Sequence, residues 1–352
     1  MAPPTSFRAI YKVLDQQEID VDVYLPPAQD RETQYPTIID IHGGAFMLGS
    51  SDLVNKDQVQ DCLNRGWIVL VPNHRLCPQV NLLEGPMRDC RDLLAWIHDG
   101  GLAKAISGQT ATPYAIDHDR IMAFGTSSGG TLALSLVRIS HDTAENPCIT
   151  GIVPRLQLGK PQNHGFDVPK PVAAIYDMYG PANFADPHWT TPLPQVAPSL
   201  SADLPESFFK PMWDESPVPI RGVVSLEGQN STPTGAPDFN DPRQAFAFTQ
   251  IKTGAVFETI FPSKEWAKVD PLLNVTADFP PTVIVHGNQD VMVPISLSKD
   301  FYAELQKKGV KCEFLEAEGE GHTFAAKMQV GSRTWETQRK GFDFLESVIR
   351  KE

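Results

Sequence analysis

The fold is predicted most directly from Arg120-Ile-Met-Ala-Phe-Gly-Thr-Ser-Ser-Gly-Gly130 and the segment after it, Thr131-Leu-Ala-Leu-Ser-Leu-Val137. A short apolar run leads into a glycine-rich turn, and the turn opens a helical pattern. The turn contains the pattern G-x-S-x-G, in which only Ser127 has glycines two positions away on both sides. A serine on so sharp a turn needs a strained backbone, and its neighbours must lack side chains so that strand and helix can approach. The pattern predicts Ser127 as a nucleophile, although a plain glycine-rich turn would also fit these five residues.

A second glycine-containing turn lies upstream, where His42-Gly43-Gly44-Ala45-Phe46 follows the apolar run 37–41. Small residues allow backbone N–H groups to point at a substrate oxygen. Each such donor lowers the free-energy barrier of an acyl transfer by roughly 3–4 kcal/mol. A tight turn with a buried histidine is the alternative interpretation of this segment by itself. The N–H of Ser128, directly after the predicted nucleophile, is a further candidate donor.

A serine nucleophile needs a base, and the base needs a carboxylate that orients it. Asp290 follows the apolar run 282–285, and His322 follows about thirty residues later in a loop that contains glycines. The chain order serine, acid, histidine is the order found when the serine lies on a strand-to-helix turn. We therefore predict Ser127, Asp290 and His322 as a catalytic triad.

Several other titratable residues compete with these candidates. Asp270 precedes its strand, which is the wrong end for catalysis in a parallel sheet, and His286 is expected to brace the loop that carries Asp290. Glu318 and Glu320 flank His322; they either raise its pKa or are ordinary solvated side chains. The remaining histidines have no spacing typical of metal ligands.

The rest of the pattern predicts an α/β fold with a mostly parallel, doubly wound sheet. Residues 7–13 and 19–25 alternate as in an antiparallel pair, and short apolar runs typical of buried parallel strands follow. The helical patterns are at 85–98, 296–308 and 334–350, with a last strand at 311–315. The buried runs are residues 37–41, 67–71, 120–124, 171–175 and 282–285.

Proline is unevenly distributed, with 16 of the 31 prolines between Pro181 and Pro281. A proline-dense stretch cannot supply central strands or long uninterrupted helices. We therefore predict a regular core at 1–180 and 281–352, with residues 181–280 as an insertion. Most aromatic side chains of this insertion are expected to form its own small core, and some to line an apolar pocket above Ser127.

Composition excludes several classes of function. A formal charge of −13 argues against nucleic-acid binding and against adhesion to an anionic membrane. We expect no membrane span and no secretory signal, and hence a cytoplasmic protein. The five cysteines contain no C-x-x-C pair, and no nucleotide-binding fingerprint follows a strand, so we expect no metal and no cofactor.

The chain resembles the α/β-hydrolase superfamily, and within it the hormone-sensitive-lipase-like carboxylesterases. The resemblance rests on the segments at 42–46, 73–79, 125–130, 270–273, 280–287 and 322–324, and on Asp290. The segment from His286 to Pro294 is closer to the prolyl-oligopeptidase and feruloyl-esterase-like branches. The resemblance implies a hydrolase core at 1–180 and 281–352, with the insertion at 181–280 as its cap. It also implies the triad already predicted, with the N–H groups of Gly44, Ala45 and Ser128 as the oxyanion hole.

The predicted function is that of a serine hydrolase acting on carboxylic esters of small molecules. One alternative is an acyltransferase or a thioesterase-like enzyme that releases the product of a biosynthetic pathway. A non-catalytic binding protein on the same scaffold is the third interpretation, which the presence of all three triad residues disfavours. Substrate identity, a preference for esters over amides, and oligomeric state are not predicted by any local motif.

Overall fold

Eight strands form one sheet in the computed structural model of the chain, which describes residues 5–29, 32–138, 164–166, 168–201, 203–222 and 237–350. Their order across the sheet is β1-β2-β4-β3-β5-β6-β7-β8. β1 pairs antiparallel with β2, and β2 with β4, whereas every other neighbouring pair is parallel. The strands are β1 (Thr5–Leu14), β2 (Gln17–Leu25), β3 (Gln34–Ile41), β4 (Ile68–Pro72), β5 (Ala115–Thr126), β6 (Ala174–Met178), β7 (Thr282–Gly287) and β8 (Cys312–Ala317).

Burial along the strands follows the hydrophobic patterns. β4, β6 and β7 are buried at every residue, as expected for strands covered on both faces. β2 instead alternates between buried and partly exposed residues, as expected at the antiparallel edge. The predicted doubly wound, mostly parallel α/β sheet is therefore confirmed.

Helices cover both faces of the sheet and bury two apolar cores. On one face, α1 and α9 pack Leu63 and Phe342 beside Ile38 of β3. On the other face, Leu93 of α2 and Phe301 of α8 belong to the larger core. No helix of the described ranges combines the length and apolar character needed to cross a bilayer. The helices are α1 (Lys56–Asn64), α2 (Arg88–His98), α3 (Gly101–Ser107), α4 (Ser128–Leu134), α5 (Glu206–Trp213), α6 (Pro242–Thr253), α7 (Val256–Ile260), α8 (Ile295–Lys307) and α9 (Arg333–Ile349).

The segment between β6 and β7 carries α5, α6, α7 and several short 3₁₀ turns. Within the predicted cap, residues 202 and 223–236 lie outside the described part of the chain. Aromatic side chains of the segment pack on one another: the ring of Phe246 contacts Phe209 and Trp213, and Phe239 contacts Phe248. The inserted segment therefore has an aromatic core, and it lies at the carboxyl ends of the parallel strands, where α/β sheets bind ligands.

Candidate active site

Ser127 lies on the turn between β5 and α4, with φ at 50° and ψ at −123°. This strained conformation is held by a hydrogen bond of 2.9 Å from the N–H of Ser127 to the carbonyl oxygen of Met178. The neighbouring glycines permit the close approach of strand and helix. A Cβ atom added to Gly129 would lie 2.0 Å from the carbonyl oxygen of Ile41, so only glycine fits there.

Three side chains from three separate loops form a continuous hydrogen-bonded chain. The Oγ of Ser127 lies 2.9 Å from Nε2 of His322, and Nδ1 of His322 lies 2.6 Å from Oδ2 of Asp290. Because a carboxylate only accepts, Nδ1 of His322 carries the proton, and Nε2 of the neutral ring accepts from the hydroxyl. Hydroxyl, imidazole and carboxylate are thus connected in the arrangement that activates an alcohol as a nucleophile.

Asp290 follows β7 in a loop that surrounds its carboxylate with donors. Its Oδ1 accepts the N–H groups of Met292 and Val293, both at 2.9 Å. Burial alone would raise the pKa of Asp290, but the positive charge that His322 carries when it is protonated, together with hydrogen bonds from His286 and His322, holds that pKa well below its usual range. The carboxylate therefore stays ionised next to the imidazole.

The competing acidic and basic residues have other partners. His286 donates from Nε2 to the carbonyl oxygen of Val293 at 2.8 Å, and Ser298 lies 2.7 Å from its Nδ1. Nε2 of His286 also lies 3.2 Å from Oδ2 of Asp290, which places this ring against the loop that carries Asp290, as predicted. Asp270 accepts backbone N–H groups at 183 and 184, and burial raises its pKa to about 6.

The two glutamates beside His322 are paired with the start of α9. Glu318 forms an exposed ion pair with Arg333, and Glu320 accepts a hydrogen bond from the hydroxyl of Thr334. These contacts engage both carboxylates near the first turn of the last helix.

Of the three predicted oxyanion residues, Ala45 and Ser128 lie beside Ser127, on two different elements. Ala45, with φ at 53°, and Ser128, the first residue of α4, line the same pocket as Ser127. Gly44 directly precedes Ala45, and its carbonyl oxygen accepts the N–H groups of Met47 and Leu48 in a tight turn. The N–H of Ser128 belongs to the first turn of a helix, where backbone donors have no partner inside the helix.

A largely apolar pocket opens above Ser127; together with the open solvent at its mouth it holds about 540 Å³ of atom-free space. The core side contributes Phe46 and Met292, and the inserted segment contributes Trp189 and Phe257. Most predicted cap aromatics do not line this pocket; these two do. The residues of the described ranges include no cluster of three His, Cys, Asp or Glu side chains suited to a metal ion.

Two residues of the site carry no signal in the sequence. His188 of the inserted segment lines the pocket, although nothing in its local pattern distinguishes it from other histidines. Tyr179, with φ at 48°, packs its ring edge-on against His322 at a centroid distance of 5.0 Å. His188 and Tyr179 are far along the chain from the site residues that they approach, so no short stretch of sequence contains both members of a contact.

Asp177 is a buried carboxyl group of β6 next to the Ser127 turn. Its Oδ1 accepts the N–H of Gly180 at 2.9 Å, and a Cβ added to Gly130 would lie 2.2 Å from the same oxygen. Burial raises the pKa of Asp177 to about 7, although the hydrogen bond from Gly180 acts against this shift. The folded protein therefore binds this proton more tightly than the unfolded chain, where the pKa is about 4.

Replacing Asp177 by asparagine is expected to flatten the loss of stability that accompanies rising pH. In the wild type, the contribution of protonated Asp177 to the free energy of unfolding is complete below about pH 4 and is lost as pH rises through about 7. Above the unfolded pKa, the folded protein must either keep this proton or hold a charged carboxylate in an apolar site. The asparagine side chain keeps an acceptor for the N–H of Gly180 and has no proton to lose. The free energy of unfolding is measured by urea denaturation at about pH 4, 5, 6, 7 and 8, which spans the interval between the unfolded and the folded pKa. An identical pH slope in the variant and the wild type would contradict the prediction.

Family models and known proteins are consistent with this architecture. The model of the BD-FAE family matches residues 21–202, and that of the prolyl oligopeptidase family matches residues 247–352. Among solved structures, esterase 2 of Thermogutta terrifontis phosphoramylated by tabun superposes with a TM-score of 0.60 and 17% identity, covering 99% of this chain and 98% of that one. The propionate-bound form of that esterase gives a TM-score of 0.57 over 99% and 97%. At this identity the likeness establishes the fold.

The curated relatives are much larger proteins. A non-reducing polyketide synthase of Stereocaulon alpinum is 26% identical over 355 residues, which cover 96% of this chain and 13% of the synthase. Methylphloroacetophenone synthase of Cladonia uncialis is also 26% identical, over 96% of this chain and 13% of its own length. The chain thus spans about an eighth of the length of these relatives.

Proposed function

This chain belongs to the BD-FAE family of the α/β-hydrolase superfamily, and from that premise we propose that it is a serine hydrolase that cleaves carboxylic esters. The observation that carries the proposal is the hydrogen-bonded chain from Ser127 through His322 to Asp290. The strained backbone at Ser127 supports it, because strain of this kind concentrates at functional sites.

In the proposed reaction, Oγ of Ser127 attacks the ester carbonyl while its proton passes to Nε2 of His322. His322 then gives the proton to the leaving alkoxide, and an acyl-enzyme remains on Ser127. A water molecule attacks this ester with His322 again as base, and the acid and free serine are released. Asp290 keeps the imidazole in the required tautomer throughout and stabilises its charged form.

We propose that backbone N–H groups of Gly44, Ala45 and Ser128 bind the oxyanion of each tetrahedral intermediate. Ala45 and Ser128 both line the pocket that contains Ser127, which supports this assignment for two of the three. We also propose residues 181–280 as a cap over the site. Trp189 and Phe257 give this cap an apolar face toward Ser127, suited to an uncharged small-molecule acyl or alcohol group.

Covalent labelling tests the proposal without knowledge of the natural substrate. An alkyl fluorophosphonate is expected to add once per chain, with the fluoride displaced by Oγ of Ser127 and the adduct located by peptide mass mapping. Prior heating above the unfolding transition is the control, because an unfolded serine has no base. Absence of labelling, or labelling at another serine, would contradict the proposal and favour a non-catalytic binding protein.

A second candidate function is that of an acyltransferase or product-releasing enzyme of a biosynthetic pathway, which passes the acyl group to an alcohol or a thiol. It is favoured by the relatives, which are polyketide synthases, and by the apolar walls of the pocket, since a dry site slows hydrolysis relative to transfer. The acyl-enzyme is the same in both functions, and only the acceptor differs.

Product analysis separates the two candidates. The enzyme is given a 4-nitrophenyl ester with and without added alcohols or thiols, and the products are identified by mass spectrometry. Formation of free acid at a rate that no acceptor changes indicates a hydrolase. Accumulation of a new ester or thioester at the expense of the acid indicates acyl transfer.

A further inference from the structure

His188 links the inserted segment to the loop that carries Asp290. It lies in the short helix Pro187–Thr190, where the side chain of Asp186 accepts its backbone N–H at 2.8 Å. The imidazole packs edge-on against Trp189, with the centroids 5.0 Å apart, and lines the pocket above Ser127. Its Nε2 lies 2.9 Å from the carbonyl oxygen of Met292. Because a carbonyl oxygen only accepts, this contact places the ring proton on Nε2.

The carbonyl of Met292 belongs to the same peptide group as the N–H of Val293. That N–H donates to Oδ1 of Asp290 at 2.9 Å. One peptide plane therefore accepts from His188 on one side and donates to the carboxylate on the other. Hydrogen bonds arranged in series through one amide polarise and strengthen each other.

The loop that carries Asp290 accepts hydrogen bonds on two sides. On the core side, His286 donates to the carbonyl oxygen of Val293 at 2.8 Å. On the side of the inserted segment, the hydrogen bond from His188 restrains the adjacent peptide. Without His188, the peptide between Met292 and Val293 has one fewer restraint against rotation, and the N–H that orients Asp290 is less well fixed.

We propose that His188 is a positioning residue, through which the segment 181–280 orients Asp290 and, by way of Asp290, the His322 base. The inference rests on the proposed function of Ser127, His322 and Asp290. It assigns His188 a role through the peptide at 292–293, beyond that of a pocket wall.

Two substitutions separate the hydrogen bond from the ring. His188→Phe keeps an aromatic ring against Trp189 and removes the donor, whereas His188→Gln keeps an N–H donor and removes the ring. Thr190→Val is the matched control, because Thr190 is an exposed residue of the same short helix whose hydroxyl donates to the carbonyl of Pro187. Thermal unfolding of each variant verifies that the fold is retained, and His188→Leu replaces His188→Phe if the latter does not fold.

The measured quantity is the rate constant for phosphonylation of Ser127 by two probes, an ethyl and an octyl fluorophosphonate. We expect His188→Phe to slow both probes by about fivefold, which corresponds to one net hydrogen bond. His188→Gln is expected to stay within about twofold of the wild type with both probes, since it keeps the donor, and Thr190→Val to match the wild type. Equal slowing of the small and the large probe is the signature of a defect in the serine and its base.

The remaining outcomes overturn the inference. Slowing of the octyl probe alone would make His188 a wall of the pocket, and failure of His188→Gln to restore the rate would make the ring, not the donor, the important feature. Unchanged rates in His188→Phe would show that the peptide at 292–293 needs no support from this side. If the wild type itself is not labelled at Ser127, the proposed function fails, and that result is distinct from all of these.

Discussion

Ser127→Ala is expected to lose essentially all of the proposed esterase activity while keeping its fold. The variant has no hydroxyl to form the acyl-enzyme, and loss of the nucleophile in a serine hydrolase lowers kcat on the order of 10⁴–10⁶-fold. Alanine and serine tolerate a φ of 50° similarly, so the turn is retained. The measurement is release of 4-nitrophenol from a 4-nitrophenyl ester, together with labelling by a fluorophosphonate.

The matched control is Ser107→Ala, which removes an exposed hydroxyl that donates to the carbonyl of Lys104 at the end of α3. It is expected to keep wild-type activity and labelling. Thermal unfolding midpoints of both variants are compared with the wild type. Ser127→Ala with a wild-type rate of ester cleavage would exclude Ser127 as the nucleophile.

Gly129→Ala is expected to destabilise the protein by about 3 kcal/mol or more, or to prevent folding. The new Cβ would lie 2.0 Å from the carbonyl oxygen of Ile41 and 2.7 Å from that of His42, and both are backbone atoms that cannot rotate away. Relief of the clash requires α4 to move away from the end of β3. Ser127 and the loop at 42–46 would then separate, so any folded fraction is expected to be inactive.

Gly108→Ala is the comparison for this substitution. Gly108 follows α3 with φ at −77°, and an added Cβ would meet the carbonyl oxygen of Ala105 at an ordinary contact distance of 3.4 Å. The free energy of unfolding is measured by urea denaturation for both variants. Equal stability of Gly129→Ala and Gly108→Ala would show that the strand-to-helix turn is looser than the contacts at Ile41 imply.

The buried strands of the sheet were predictable from the sequence, and so were the three residues of the hydrogen-bonded chain, Ser127, His322 and Asp290. The run that becomes β7 is buried throughout and has no polar alternation, which is what a strand covered on two faces requires. Ser127, Asp290 and His322 each lie at the end of a recognisable element. In a parallel sheet the carboxyl ends of the strands meet at one edge, so residues in those loops converge.

Other features required the packed molecule. The aromatic residues of the inserted segment are conspicuous in the sequence, but which of them reach the pocket depends on how α6 and α7 dock. Trp189 and Phe257 do, while Phe246 packs into the interior of the segment. The physical reason is that proline-rich segments have no strict period, so no pattern tells which face of them is buried.

The sequence by itself determined the doubly wound sheet and the strand-to-helix turn at Ser127, because hydrophobic period and the need for glycine are local properties of the chain. Only the tertiary structure decided that His188 contacts the carbonyl of Met292 and that Tyr179 packs against His322. Those contacts join loops that are distant in the sequence. Their partners are chosen by the packing of whole elements, which no local pattern encodes.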